Sequence, residues 1–248
     1  MLRQFWRTLI ALAATAALYS TVSWLYLQRS HVAAQGPVTG LQLVSFPSGF
    51  PSIWDIVRSN AAVSGWMLLA VFLVHVLFTG GFLGTLVRVN SLQATAVSTF
   101  LSDAARSFWR LLFWNLLWVA LSFLAVGLTG AMRPLGVTFA ALLLLVRCLF
   151  LFAEVALVCE QQARLGAVLR MAIQTMVEEL VRMVPVAVAI VLLTGLGLSL
   201  TATGSPIRLL ITVLAYTSAM TWMSHLVVAR YVIFSAWKSR TGAAAVTS

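Results

Sequence analysis

The sequence predicts an all-α polytopic integral membrane protein, with six transmembrane helices and two amphipathic helices on its cytoplasmic surface. Three observations carry this. Hydrophobic residues make up 61% of the 248 and charged residues only 9%, against about 25% charged in an ordinary soluble domain. The mean hydropathy is +1.00. Apolar runs of about 20 residues or more, the length a helix needs to cross a bilayer, recur along the whole chain. An ordinary soluble enzyme and a disordered chain are both excluded.

The first apolar run covers 8–27, behind Arg3 and Arg7. A basic start and Ala33-Ala34 downstream would suit a signal peptide. The run is longer than a signal peptide's apolar region of about 7–15 residues. Trp24 and Tyr26 near its far end suit an interfacial belt, so it reads as a retained first span. The polar stretch 28–60 holds Pro37, Pro47 and Pro51 and is not one regular helix. Ser52 can cap a short turn there, with Asp55 three residues on. Phe46, Phe50, Ile53 and Trp54 give this loop an apolar side, suited to lying on a membrane surface.

The second run, 61–87, contains Gly80 and Gly84 at the spacing of close helix packing. In 91–107, Leu92, Val97, Phe100, Leu101, Ala104 and Phe108 recur at helical spacing, while Gln93, Ser98, Ser102, Asp103 and Arg106 take the other face. That pattern predicts a surface helix too polar to span. The third span covers 109–128, and 130–134 is a tight connection. The fourth covers 135–158. A second surface helix is expected over 162–180, its apolar face running from Leu165 through Val168, Ala172 and Met176 to Leu180. The fifth span, 183–203, has Pro185 in its first turn, where a missing N–H costs little. After a turn at 204–206 the sixth span covers 207–234, and the small, polar tail after Lys238 is expected to fray.

Charge sets the orientation. With the N-terminus inside, the inner segments hold Arg3, Arg7, Arg88, Arg106, Arg110, Arg164, Arg170, Arg182, Arg230, Lys238 and Arg240, eleven in all. The outer segments hold Arg29, Arg58, Arg133 and Arg208, which is four. The positive-inside rule then places both termini in the cytoplasm, and the even span count agrees. The formal charge of +10 is spread between apolar runs with no Lys/Arg-rich cluster, so no nucleic-acid partner is expected. Cys148 and Cys159, eleven residues apart on one helix, would be about 16 Å apart and read as buried small residues.

Spans two and three flank one amphipathic segment, and spans four and five flank another. A shift of 72 residues places His75 on Arg147 and Arg110 on Arg182. This pattern suits parallel repeats about an axis along the membrane normal, although independent origin of the two units would give the same pattern. The segment Ser98-Thr99-Phe100-Leu101-Ser102-Asp103-Ala104-Ala105-Arg106-Ser107-Phe108-Trp109-Arg110, followed by a span with an embedded Arg and a second such helix, carries a resemblance. Over about 61–182 the chain resembles bacterial polytopic proteins grouped near the membrane domain of glycerophosphoryl diester phosphodiesterases. The resemblance implies a bacterial inner-membrane protein. That family's catalytic domain is a separate soluble barrel that no part of this chain matches, so the phosphodiesterase activity does not carry over.

His75, Arg147, Glu154 and His225 fall within predicted spans, where ionisable groups are costly and are functional candidates. Arg147, Glu154 and His75 form the candidate polar cluster. On an unbroken helix Arg147 and Glu154 share a face about 10.5 Å apart along the axis. The functional reading is a substrate or proton site; the structural one is an ion pair that fixes helix register. His75 and His225 read as hydrogen-bonded to neighbouring helices. No P-loop, His-Glu-x-x-His or Gly-x-Ser-x-Gly motif occurs, and three scattered histidines offer no zinc spacing. No catalytic residue, cofactor or metal is expected. The leading expectation is a non-enzymatic scaffold or accessory subunit, with membrane lipids or another membrane protein as partner. The alternative is a small transporter or permease subunit with a site near Arg147. A membrane-embedded lipid enzyme is a third, weaker reading.

Overall fold

The computed structural model describes residues 2–29, 65–201 and 206–246. These form eight helices and, among the described residues, no strand: α1 Leu2–Arg29, α2 Gly65–Asn90, α3 Val97–Ala131, α4 Arg133–Leu149, α5 Ala153–Cys159, α6 Leu165–Glu178, α7 Leu180–Thr201 and α8 Pro206–Val246. Among the described residues, six stretches are long and apolar enough to cross a membrane: Gln4–Ser23, Leu69–Asn90, Val97–Ala125, Arg133–Cys159, Leu180–Gly197 and Ile207–Ala236. Their number and order match the reading of the sequence. The expected loop features at Phe46–Trp54, and the start of the turn before Pro206, lie outside the described residues.

The α2–α3 hairpin is built on glycine. A Cβ on Gly81 would stand 2.5 Å from the Phe100 ring, and one on Gly84 would stand 2.5 Å from Asp103 Cβ. Gly80 faces the Ala104 backbone at 3.1 Å in the same sense. Only residues without a side chain allow this approach, and Val76, Phe82, Leu86, Ala104 and Leu111 close over it with little or no exposure. The hairpin turn ends α2 with Leu92 at φ 56, the left-handed conformation usual for Gly at a helix end. The Gln93 N–H caps the Arg88 carbonyl at 2.8 Å.

Helix α5 lies at the centre: Ala153 to Val158 are all buried. It packs against α2, α3, α6 and α8. Val168 and Ala172 of α6 and Val228 and Tyr231 of α8 are likewise buried. Helices α1 and α8 run antiparallel, since Trp6 stacks on Trp222 while Ala17 and Leu214 share the groove between them.

Several boundaries differ from those read in the sequence. The segment 91–107 is not a separate surface helix: α3 runs unbroken from Val97 to Ala131 through the expected boundary at Trp109. Nothing between Val97 and Ala125 breaks a helix, as no Gly or Pro occurs there. The buried stripe of α3 is also turned. Asp103 and Ser107 face inward, while Val97 and Leu101 are exposed. Asp103 packs inward because α2 offers it Arg88 and a glycine surface, while Gln93, Ser98 and Arg106 of the same polar face stay exposed. Leu92 lies outside the helix, 78% exposed. The 130–134 connection reduces to Met132 alone, with Pro134 in the first turn of α4. The fourth span is two helices, α4 and α5, with a break over 150–152. Helix α7 begins at Leu180, so Pro185 sits inside it, past the first turn, and leaves the Val181 carbonyl without its usual donor. Helix α8 continues through the tail to Val246. The second amphipathic segment is a discrete helix, α6, with Val168, Ala172, Thr175 and Met176 buried. The two expected repeat units therefore fold differently.

Candidate functional site

The break between α4 and α5 makes the site. The Phe150 N–H is shared between the Val146 and Arg147 carbonyls at 3.2 and 3.1 Å, and Leu151 N–H bonds Cys148 O at 3.1 Å. Ala153 N–H bonds Phe150 O at 2.9 Å. These tight turns take over backbone pairing where α-helical bonds stop.

The turn folds the chain so that Arg147 Nη2 donates to Glu154 Oε1 at 2.7 Å. Both side chains are 7% exposed. Arg147 lies in the last turn of α4 and Glu154 in the first turn of α5, each at the helix end whose dipole favours its charge. From α3, two indoles flank the cation, with the Arg147 guanidinium carbon 4.7 Å from the Trp118 ring centroid and 5.6 Å from that of Trp114. Their quadrupoles stabilise a desolvated guanidinium. Trp114 also meets Phe150 of the break edge-on at 5.2 Å.

Among the described residues, Arg147 Nη1 and the indole N–H groups of Trp114 and Trp118 have no hydrogen-bond acceptor. Each such buried donor costs about 1–3 kcal/mol. The unsatisfied groups of the cluster are donors, which suit an acceptor or an anion.

His75, the third member of the expected cluster, is buried in α2 with its ring 6.1 Å from that of Tyr19. Asn115 donates to its own helix at Leu111 O, 2.8 Å away, and Gly80 faces Ser107 and Ala104. His225 joins two helices: Asn90 Nδ2 donates to its Nδ1 at 3.2 Å, and Phe5 and Trp222 flank its ring. The cysteines are free, and no group of three or more metal-ligating side chains occurs among the described residues.

Two arginine roles were not read from the sequence. Arg88 forms a two-pronged pair with Asp103, Nε to Oδ2 at 2.7 Å and Nη2 to Oδ1 at 2.8 Å. The signal was present, since Gly80, Gly84 and Arg88 at four-residue steps form one stripe. Arg110 donates to the carbonyls of Glu160 at 2.7 Å and Ala163 at 2.6 Å, pinning the turn between α5 and α6 to α3. Carbonyl targets leave no mark on a side-chain pattern. Arg182, the repeat counterpart of Arg110, instead pairs with Glu179 of the preceding turn.

No family model, curated protein or solved structure matches this chain.

Proposed function

We propose that this chain is a non-enzymatic multi-pass protein of the bacterial plasma membrane, a scaffold or accessory subunit for a membrane partner or for lipid organisation. The observation that carries the reading is the use made of Arg147. Its charge is taken up inside the bundle by Glu154 and two indole faces, as a register-fixing group is. The outer faces support membrane embedding. Leu142, Leu145, Val188, Leu192, Leu196 and Ile211 are all exposed, and lipid covers such surfaces without cost. The eleven-to-four distribution of basic residues favours cytoplasmic termini, and α6 suits a helix lying at the inner surface. The resemblance to the membrane domain of glycerophosphoryl diester phosphodiesterases agrees with this reading and supplies no chemistry to it.

The second reading, a small transporter or permease subunit, is favoured by the same break. Discontinuous helices with unused donors are how membrane proteins build anion sites, and Arg147 Nη1 is such a donor. Purification in mild detergent with mass analysis of what co-elutes separates the two. A stoichiometric membrane protein or a retained lipid class supports the scaffold. Partner-free protein that carries an anion into vesicles, and loses this with Arg147→Gln, establishes the transporter instead.

A further inference from the structure

We propose that the groove between α1 and α8 holds one acyl chain of an anionic phospholipid, with the headgroup at its Trp6–Trp222 end. The inference rests on reading the chain as a multi-pass membrane protein and names the lipid class that such a protein would retain.

The groove measures about 350 Å³ and exists because α1 offers only Ala13, Ala14 and Ala17 opposite Thr217 and Thr221 of α8. Its walls are apolar in effect. The hydroxyls of Thr217, Ser218 and Thr221 are turned back onto Val213, Leu214 and Thr217 carbonyls of their own helix at 2.6–2.8 Å. Methyl and methylene groups are what remain to face an occupant.

Length selects the occupant. From Trp6 to Ala17 the groove runs eleven residues, about 16 Å along the axis. That is half of the ~30 Å hydrocarbon core, the depth of one leaflet. A lipid tail fits that depth, whereas a crossing helix from a partner needs the full thickness. At one end Trp6 and Trp222 stack with centroids 5.6 Å apart and planes 2° apart. Indoles with a polar edge belong at the headgroup level, so this end is the mouth.

Charge selects the headgroup. Arg7, next to Trp6, is exposed. It puts positive charge at the end where the phosphate of a seated lipid would lie. A basic residue at the surface favours anionic lipid by about fivefold.

Native mass spectrometry of the full chain, mixed with equal palmitoyl-oleoyl phosphatidylglycerol and phosphatidylcholine, tests this. The parent should retain phosphatidylglycerol at least about fivefold over phosphatidylcholine. Arg7→Gln should cut that preference about fivefold and leave phosphatidylcholine retention unchanged. Ala13→Leu with Ala14→Leu should abolish retention of both lipids. If that double variant does not fold, Arg7→Gln decides alone. Equal retention of the two lipids by the parent overturns the proposal. So does phosphatidylglycerol held by a folded double variant, or a dimer that the double variant dissolves, which gives the groove to a second copy. A membrane protein partner that co-purifies while the lipid preference is absent sinks the lipid site and leaves the scaffold reading standing.

Discussion

Arg147 and Glu154 are seven residues apart in the chain and 2.7 Å apart in space, and the helix breaks between them. On a continuous helix the two would be about 10.5 Å apart along the axis. On such a helix only fully extended side chains could meet, and the break lies between the paired residues. The turn at 150–152 brings the charges together, and the pairing offsets the cost of a turn among buried residues. A charge in the middle of an apolar span costs about 2.5–3.5 kcal/mol on insertion scales. A neutral pair, with indole faces on the cation, removes most of that cost.

The first prediction follows from this pairing. Glu154→Leu leaves a buried guanidinium uncompensated and should destabilise the protein by about 3–5 kcal/mol. Arg147→Leu leaves a buried carboxylate and should cost a similar amount. The double variant Arg147→Leu/Glu154→Leu should recover most of the loss. Melting in detergent, followed by tryptophan fluorescence, measures all three. If Arg147→Leu alone melts like the parent and still loses function, the residue serves a ligand and the transporter reading gains.

The glycine stripe gives a prediction with a sign. Gly84→Ala puts a Cβ 2.5 Å from Asp103 Cβ and 2.8 Å from Oδ2, which disturbs the pair with Arg88. Overpacking of this kind costs about 1–3 kcal/mol. Gly127→Ala, where a Cβ would meet nothing within 4 Å, should instead stabilise by up to about 1 kcal/mol, the helix-propensity difference. The two melting temperatures should move in opposite directions. Equal shifts would mean that the α2–α3 contact does not depend on the glycines.

Leu92 holds a left-handed turn that glycine prefers, and its side chain is exposed. Leu92→Gly should therefore raise stability by about 1 kcal/mol, since relief of the Cβ clash exceeds any loss of burial. Lowered stability would show that the turn relies on the leucine side chain.

Six apolar stretches, their order and the inward direction of the embedded charges were legible because length and hydropathy dictate them. The break at 150–152 was not. Leu149-Phe150-Leu151-Phe152 contains no Gly or Pro and reads as uninterrupted span. The groups that meet the break, Trp114 and Trp118, come from a neighbouring helix, and periodicity along one segment carries no information about another helix. The same limit misplaced Asp103. Amphipathic spacing in 91–107 identifies two faces but not which single members of each are buried. Asp103 turned inward because Arg88 waits on α2, while Ser98 and Arg106 stayed exposed. His75 joined the candidate cluster through its position in a span and the 72-residue repeat relation, neither of which fixes its register on α2.

The charge distribution yields a topological prediction. With Cys148 and Cys159 replaced by Ala, single cysteines at positions 5, 45 and 243 should label from inside, outside and inside. External labelling at position 243 would require an odd number of crossings and would overturn the six-span arrangement.

Arg110 supplies the last prediction. Its two guanidinium nitrogens bond the Glu160 and Ala163 carbonyls, so one side chain on α3 holds both ends of the turn joining α5 to α6. Hydrogen bonds from a charged donor contribute about 1.5–3 kcal/mol each. Loss of even one should speed local opening of that turn about tenfold. Arg110→Ala removes both bonds. Arg110→Lys keeps the charge but replaces the planar fork by a single ammonium that cannot span two carbonyls. Hydrogen exchange over 161–165 should therefore rise most in Arg110→Ala and by an intermediate amount in Arg110→Lys. It should not change in Arg106→Ala, whose side chain is exposed one turn earlier on the same helix. The ordering separates geometry from charge. If Lys restores full protection, positive charge near the α5 terminus is what matters; if both variants exchange like the parent, the turn is held by the packing of α6 alone.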